Sequence, residues 1–204
     1  MIAKGSTVQG TLEFLRTSAE AHTVGIILNA LPEACRSRLA NSSAVAEVPY
    51  EDLVALWEAA DAILAAEDPG WVERQGAFAI EQLGPRLYGG LLQKRSPEEF
   101  LSQGVSLFQL YYHPGNVEVV DRSPGHAVVR LVGFHVVDRF FCRRFTGAWP
   151  ALLRVAGGVD THAHHVRCAR EGDAFCEWEL GWRVLNRRPA RPATPKRTVE
   201  HTAD

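Results

Sequence analysis

The residues best suited to metal chemistry lie in the second half of the chain. Cys142 is followed by the segment Thr161–Cys168, which contains three histidines, and then by Cys176. Thiolate and imidazole together are the ligand set that zinc prefers. The spacing matches no zinc-finger pattern, because the sequence contains no CxxC. The alternative is that small cysteines are simply buried between a sheet and a helix.

The geometry of the last predicted hairpin decides whether Cys168 and Cys176 can meet. With an odd loop such as Gly172–Ala174, Cys168 opposes Trp178 and both cysteines lie on one face; an even loop puts them on opposite faces. The odd loop is favoured because it also gathers three apolar side chains on that face, namely Val166, Leu180 and Trp182. That face must pack on the helix that carries Cys142, so a cluster of three cysteines is predicted.

The first half of the chain has helical periodicity. An apolar stripe predicts a helix from about Tyr50 to Ala66, and another is predicted over Trp71–Leu83. Ser96 followed by proline and glutamates predicts the start of a third helix, whose stripe extends to Tyr112. Shorter helical segments are predicted around Leu12–Ala19 and Val24–Leu39.

The second half changes to the periodicity of strands. Two β-branched runs, Val117–Val120 and Ala127–Val132, predict a hairpin. A helix is predicted from about Val136, and two further strands are predicted at Thr161–Arg170 and Phe175–Val184. The fold class is therefore α+β: a helical layer followed by β-β-α-β-β with an antiparallel sheet, in one domain over residues 1–185.

The helix after Val136 and the sheet should enclose an apolar pocket. Its candidate lining residues are Phe141, Phe145, Trp149 and Trp178. Core packing is the alternative for each of these four side chains.

The stretch Val166–Trp178 resembles the end of the 4-vinyl reductase ligand-binding domain, in which two cysteines flank a glycine-containing turn. The resemblance implies a structural zinc site, in which a cysteine on the preceding helix and a glutamate three residues before the first hairpin cysteine complete the ligands. Cys142, Cys168 and Cys176 match this pattern, and His165 occupies the glutamate position. Strand alternation favours His164 instead, unless a bulge turns His165 inward.

The longer N-terminal part is similar to an uncharacterised family known chiefly from myxobacteria. The matching segments include Lys4–Val8, Leu12–Leu15 and Tyr111–Gly115. Both families resemble the ligand-binding domains of nitric-oxide signalling and Golgi transport, which include the TRAPP subunits. That similarity implies an antiparallel α+β fold with an apolar pocket for a small molecule. No haem is expected, because the Tyr-x-Ser-x-Arg triad that nitric-oxide sensors use for haem propionates is absent.

Composition limits the remaining possibilities. The chain has 204 residues and a formal net charge of −2, so nucleic acid is not an expected partner. A basic, proline-rich tail over residues 186–204 is predicted to be disordered. The cysteine number and the absence of a signal-peptide pattern predict a cytoplasmic location, and no transmembrane segment is predicted.

Motifs of the common enzyme classes, GxSxG, HExxH, the P-loop and GxGxxG, are absent. The sequence therefore predicts a non-enzymatic bacterial sensor or adaptor that binds a small hydrophobic ligand and signals through a protein partner or a homodimer. The alternative is a scaffold without a ligand, which assembles with a partner or with itself.

Overall fold

The computed structural model describes residues 1–86, 89, 96–103, 108–135 and 138–184. The first half alternates short strands with helices. In chain order its elements are β1 Ile2–Lys4, α1 Gly5–Ser18, α2 Ala21–Asn29, α3 Glu33–Ala40, β2 Glu47–Pro49, α4 Tyr50–Leu64, α5 Trp71–Phe78 with a π-helical continuation over Ala79–Leu83, and α6 Pro97–Gln103.

The second half forms the larger sheet and one long helix. Its elements are β3 Tyr112–His113, β4 Asn116–Ser123, β5 His126–Val132, α7 Phe140–Val155, β6 Gly158–Arg167, a 3₁₀ turn over Ala169–Glu171, and β7 Cys176–Val184. The fold is α+β, as predicted. Among the described residues, no helix combines the length and the hydropathy that crossing a bilayer requires.

Two antiparallel sheets organise the chain. The small sheet has the order β2-β1-β3, and the large one has the order β4-β5-β7-β6. Strand β3 forms because Tyr112 pairs with Ala3, a contact between distant parts of the sequence. The prediction that a helical stripe continues to Tyr112 is therefore wrong at Tyr112 itself, which lies in β3, and residues 104–107 of the predicted helix lie outside the described residues.

Local signals predicted several helix starts well. Helix α4 begins at Tyr50, and the Ser96 hydroxyl accepts the Glu99 N–H at 3.2 Å near the start of α6. The helix predicted from Val136 begins later, at Phe140, where Asp138 supplies the capping carboxylate. The tail Asn186–Asp204 lies outside the described residues, and a single domain over 1–185 stays a prediction.

Helices α5 and α7 approach each other so closely that glycine is required on each. A Cβ atom at Gly76 would overlap the main-chain carbonyl oxygen of Arg144, and one at Gly147 would overlap that of Glu73. An ion pair between Arg143 and Glu73, with 2.7 Å between Nε and Oε1, spans the same contact. The two helices are therefore closely packed, and α7 in turn packs against strands β6 and β7 of the large sheet.

The buried carboxylate of Asp52 makes the folded state sensitive to acid. Arg38 donates to both of its oxygens, at 2.6 and 2.8 Å, and this holds the pKa of Asp52 below its ordinary value. A carboxyl with a lowered folded-state pKa stabilises the protein above its unfolded pKa, near 4, and this stabilisation is lost as the pH falls through the folded value.

We therefore expect Asp52→Asn to lower the free energy of unfolding at pH 7 and to reduce its further loss between about pH 5 and pH 2. Urea unfolding at several pH values measures both quantities. Glu58→Gln, at an exposed position of the same helix, is the control and should leave the pH profile unchanged. An Asp52→Asn profile parallel to that of the unmodified protein would contradict this role.

Candidate functional site

A mostly apolar cavity lies between α1, the α5–π segment and α7. It contains about 820 Å³ of space free of protein atoms, its open mouth included, and the centres of water molecules fit in about 80 Å³ of it. The described lining residues are Ser6, Thr7, Gly76, Ala79, Ile80, Leu83, Phe100, Phe108, Tyr111, Tyr112, Val117, Arg144, Phe145, Ala148, Trp149 and Leu152.

Arg144 brings a positive charge to this apolar cavity. The residue is only 5% exposed, and its Nη1 donates to the Tyr112 phenol at 2.6 Å. Its Nε donates to the Gln75 side-chain oxygen, and its guanidinium carbon lies 4.5 Å from the centre of the Trp57 ring. Among the described residues no carboxylate forms an ion pair with Arg144.

A chain of buried hydrogen bonds fixes the orientation of this arginine. The Gln75 amide nitrogen and the Trp57 indole nitrogen both donate to the Thr11 hydroxyl, at 3.3 and 3.2 Å. Thr11 in turn donates to the main-chain oxygen of Thr7 at 3.0 Å. Helices α1, α4 and α5 therefore hold Gln75 in place, and Gln75 and Tyr112 hold the guanidinium at the cavity wall.

Two further polar atoms at the cavity have no protein partner. The Thr7 hydroxyl and the Trp149 indole nitrogen are buried and form no hydrogen bond. The two residues are 3% and 6% exposed, and both line the cavity. An unsatisfied buried polar atom costs about 1–3 kcal/mol, so such atoms in a native structure call for an explanation.

The predicted pocket residues divide into two pairs. Phe145 and Trp149 line the cavity. Phe141 lies behind it, stacked between Phe134 and Phe145 with ring centres 4.6 and 4.5 Å away. Trp178 is fully buried, and its indole nitrogen donates to the Thr146 hydroxyl at 3.0 Å. Phe141 and Trp178 are therefore core residues beside the described cavity lining.

Arg144 was not among the residues predicted for the site, although the sequence contains a signal for it. Arg144 lies three positions after Phe141 and four before Ala148, on the apolar face of α7. A charged residue inside such a stripe must find buried partners, because an unpaired buried charge is costly. Thr7 carried no comparable signal, since a single threonine in a helix is unremarkable.

The four predicted metal ligands lie together where the first turn of α7 meets the end of the β6–β7 hairpin. Their ligand atoms, from Cys142, His165, Cys168 and Cys176, all lie within 4.8 Å of one another. The sulfurs of Cys142 and Cys176 are 3.5 Å apart, and the Ala169 N–H donates to the Cys176 sulfur at 3.4 Å. The Nε2 atom of His165 is buried without a hydrogen bond.

The hydrogen bond between Cys142 and Cys176 shifts the pKa values of the two thiols in opposite directions. The Cys142 S–H donates to the Cys176 sulfur, which raises the pKa of Cys142, and burial raises it further. The same hydrogen bond lowers the pKa of Cys176, with the side chain of His165 and the Ala169 amide contributing in the same direction. Of these two sulfurs, Cys176 therefore carries negative charge more readily.

The hairpin register differs from the prediction. Trp178 pairs with His165, and Glu177 pairs with Arg167 across a bulge. Cys168 thus lies beyond the end of β6, where its N–H donates to the Asp173 carboxylate at 2.7 Å. Because of the bulge, His165 joins the cysteines whereas His164 is exposed, and Val166 is 43% exposed instead of facing the core.

The role of these four side chains as metal ligands stays a prediction. If they bind an ion, purified protein should contain about one metal equivalent, and Cys168→Ser should remove most of it because one ligand is lost. Inductively coupled plasma mass spectrometry measures this content. Cys35→Ser, at a buried cysteine outside the cluster, is the matched control. A folded protein without metal would contradict the prediction.

The fold matches solved structures of H-NOX (haem nitric oxide/oxygen-binding) proteins. An Fe(II) unliganded H-NOX protein from K. algicida has a TM-score of 0.68 at 11% identity, covering 90% of this chain and 98% of its own. An H-NOX protein from S. oneidensis in the Fe(II)NO state has a TM-score of 0.66 at 12% identity, covering 88% of this chain and 99% of its own. This chain has an H-NOX-like fold. No protein-family model and no curated protein matches the sequence.

These comparisons correct three predictions. The identification with the 4-vinyl reductase domain and TRAPP subunits is wrong, because the solved structures that match are H-NOX proteins, and the resemblance to a myxobacterial family falls with it. The prediction of zinc as the cofactor is wrong for this fold, whose solved examples are named by their haem iron states. The prediction that excludes haem is also wrong, because the matching solved structures are H-NOX proteins in Fe(II) and Fe(II)NO states.

Haem is the group that the H-NOX-like fold implies, so the described cavity lining can be compared with the ligands that haem uses. Imidazole, thiolate and thioether groups are absent from the described lining, and the phenols of Tyr111 and Tyr112 are present. Tyr112 already accepts a hydrogen bond from Arg144. These residues do not make the usual iron site.

Proposed function

We propose that this chain is a non-enzymatic sensor domain that binds a small apolar molecule in the cavity beside α7. The observation that carries the proposal is an apolar cavity whose buried polar atoms, on Thr7 and Trp149, have no protein partner. Binding sites of this kind are mostly apolar, with a few placed polar groups. The H-NOX-like fold supports a sensor role by analogy, since fold alone does not determine function.

Helix α7 is the element through which an occupied cavity would act. Phe145, Ala148, Trp149 and Leu152 line the cavity from this helix. The same helix packs closely against α5 at Gly147 and leads directly into β6. A ligand that contacts α7 would therefore shift the position of the β6–β7 hairpin that follows. A protein partner or a second copy of the chain would bind the shifted hairpin more or less tightly. A cytoplasmic location belongs to the same proposal.

Native mass spectrometry of freshly purified protein tests the proposal. We expect a population whose mass exceeds that of the chain by one small organic molecule, which dissociates on denaturation. The absorption spectrum of the same sample distinguishes haem, which would show a Soret band, from a colourless ligand. A Soret band would show that the bound group is haem, and the proposal of a colourless apolar ligand would then be wrong. Protein that remains free of any added mass after incubation with apolar compounds would contradict a ligand-binding function.

A scaffold without a ligand was the alternative predicted from the sequence. Nothing in the comparisons supports it, and the unsatisfied atoms of the cavity have no role in a fully packed scaffold.

A further inference from the structure

The polar groups of the cavity are all hydrogen-bond donors or able to donate. The Trp149 indole nitrogen can only donate, the Arg144 guanidinium can only donate, and the Thr7 hydroxyl can donate or accept. All three side chains line the same cavity, and all are at least nine-tenths buried. A group that satisfies Trp149 and Thr7 together must be an acceptor, and an anionic acceptor would also neutralise the arginine.

No carboxylate of the described residues lies within ion-pair distance of Arg144. Its polar partners, Tyr112 and Gln75, are neutral, and Trp57 contributes only the face of its ring. The internal segments outside the described residues, 87–88, 90–95, 104–107 and 136–137, contain no aspartate or glutamate in the sequence. A buried charge is normally paired, because burial without a partner is strongly unfavourable.

We propose that the ligand of this cavity is an apolar carboxylic acid, whose carboxylate binds Arg144 with help from Trp149 and Thr7. This inference rests on the proposed function, and it adds the chemical class of the ligand. A carboxylate has about four acceptor positions and matches the planar guanidinium. The remaining lining, including Ile80, Leu83 and Leu152, contacts the hydrocarbon part.

Isothermal titration calorimetry with two probes of equal chain length tests the inference. Octanoate carries a carboxylate, whereas 1-octanol is neutral with a similar chain. We expect the unmodified protein to bind octanoate at least about 10-fold more tightly than 1-octanol, because hydrogen bonds to charged groups contribute more than neutral ones. Trp149→Phe keeps an aromatic ring and removes the N–H, and it should weaken octanoate binding by about 10-fold.

Arg144→Met should abolish the preference for octanoate by removing the positive charge while retaining an apolar chain of similar length. If this variant does not fold, Trp149→Phe and Thr7→Val replace it in the test, since neither introduces a new polar group. Each of them removes one hydrogen-bond donor and should weaken the binding of octanoate. Equal binding of both probes by the unmodified protein would overturn the carboxylic acid and leave the proposed function standing. Binding of neither probe would overturn the proposed function and this inference together.

Discussion

Replacing Gly147 with alanine is expected to lower the free energy of unfolding by about 1–2 kcal/mol. The new Cβ would overlap the main-chain carbonyl oxygen of Glu73, and main-chain atoms of a packed helix cannot move aside as a flexible side chain can. Overpacking typically costs about 1–3 kcal/mol. The gain in helix propensity from alanine, at most about 1 kcal/mol, offsets only part of this cost.

Gly25→Ala provides a matched control for this prediction. Gly25 lies inside α2, and a Cβ there would meet no atom within 4 Å. The same substitution should therefore raise the free energy of unfolding by up to about 1 kcal/mol, through propensity alone. Urea unfolding of both variants gives the comparison. Equal stability of Gly147→Ala and the unmodified protein would mean that α5 and α7 are not held at this distance.

Asp138→Ala is expected to be the second large effect, about 2–4 kcal/mol. The buried carboxylate of Asp138 accepts the N–H groups of Phe140 and Phe141, both at 2.8 Å, and the Tyr50 hydroxyl at 2.5 Å. Loss of the capping bonds costs about 1 kcal/mol. The buried Tyr50 hydroxyl would also lose its partner, at a cost of about 1–3 kcal/mol.

A double-mutant cycle separates these two contributions. Tyr50→Phe alone should cost about 1 kcal/mol, because it removes the hydroxyl and leaves the helix cap intact. In the Asp138→Ala background the same substitution should cost nothing or stabilise, since it removes an unsatisfied group. Additive effects in the cycle would show that the hydrogen bond between Tyr50 and Asp138 contributes nothing to stability.

Local sequence patterns predicted those helices that are specified by residues within the helix or next to its ends. The apolar stripe of α4 and the capping serine before α6 act within one helix, so the chain itself contains the information. The three-residue strands β1 and β2 were missed, because their only role is to pair with distant segments. Tyr112 was assigned to a helix for the same reason: its pairing with Ala3 decides its conformation.

The candidate site was partly predictable. The four residues Cys142, His165, Cys168 and Cys176 meet in space, although the predicted register was wrong and a bulge selects His165 over His164. A bulge depends on how two strands match across a hairpin, which alternation alone does not determine. The position of Arg144 at the cavity was not predicted. Its hydrogen-bond partners, Gln75 and Tyr112, lie in α5 and β3, which are distant from Arg144 in the sequence.

The central claim, that the cavity binds a small apolar molecule, is tested most directly by methyl NMR during titration. With octanoate, and separately with 1-octanol, we expect saturable shifts of the Ile80, Leu83 and Leu152 methyl signals, while methyls of α2 such as Ile27 remain unchanged. Ala148→Phe, which fills the cavity, should abolish the shifts in a protein that is still folded. Unchanged cavity methyls at saturating concentrations of both compounds would contradict the account.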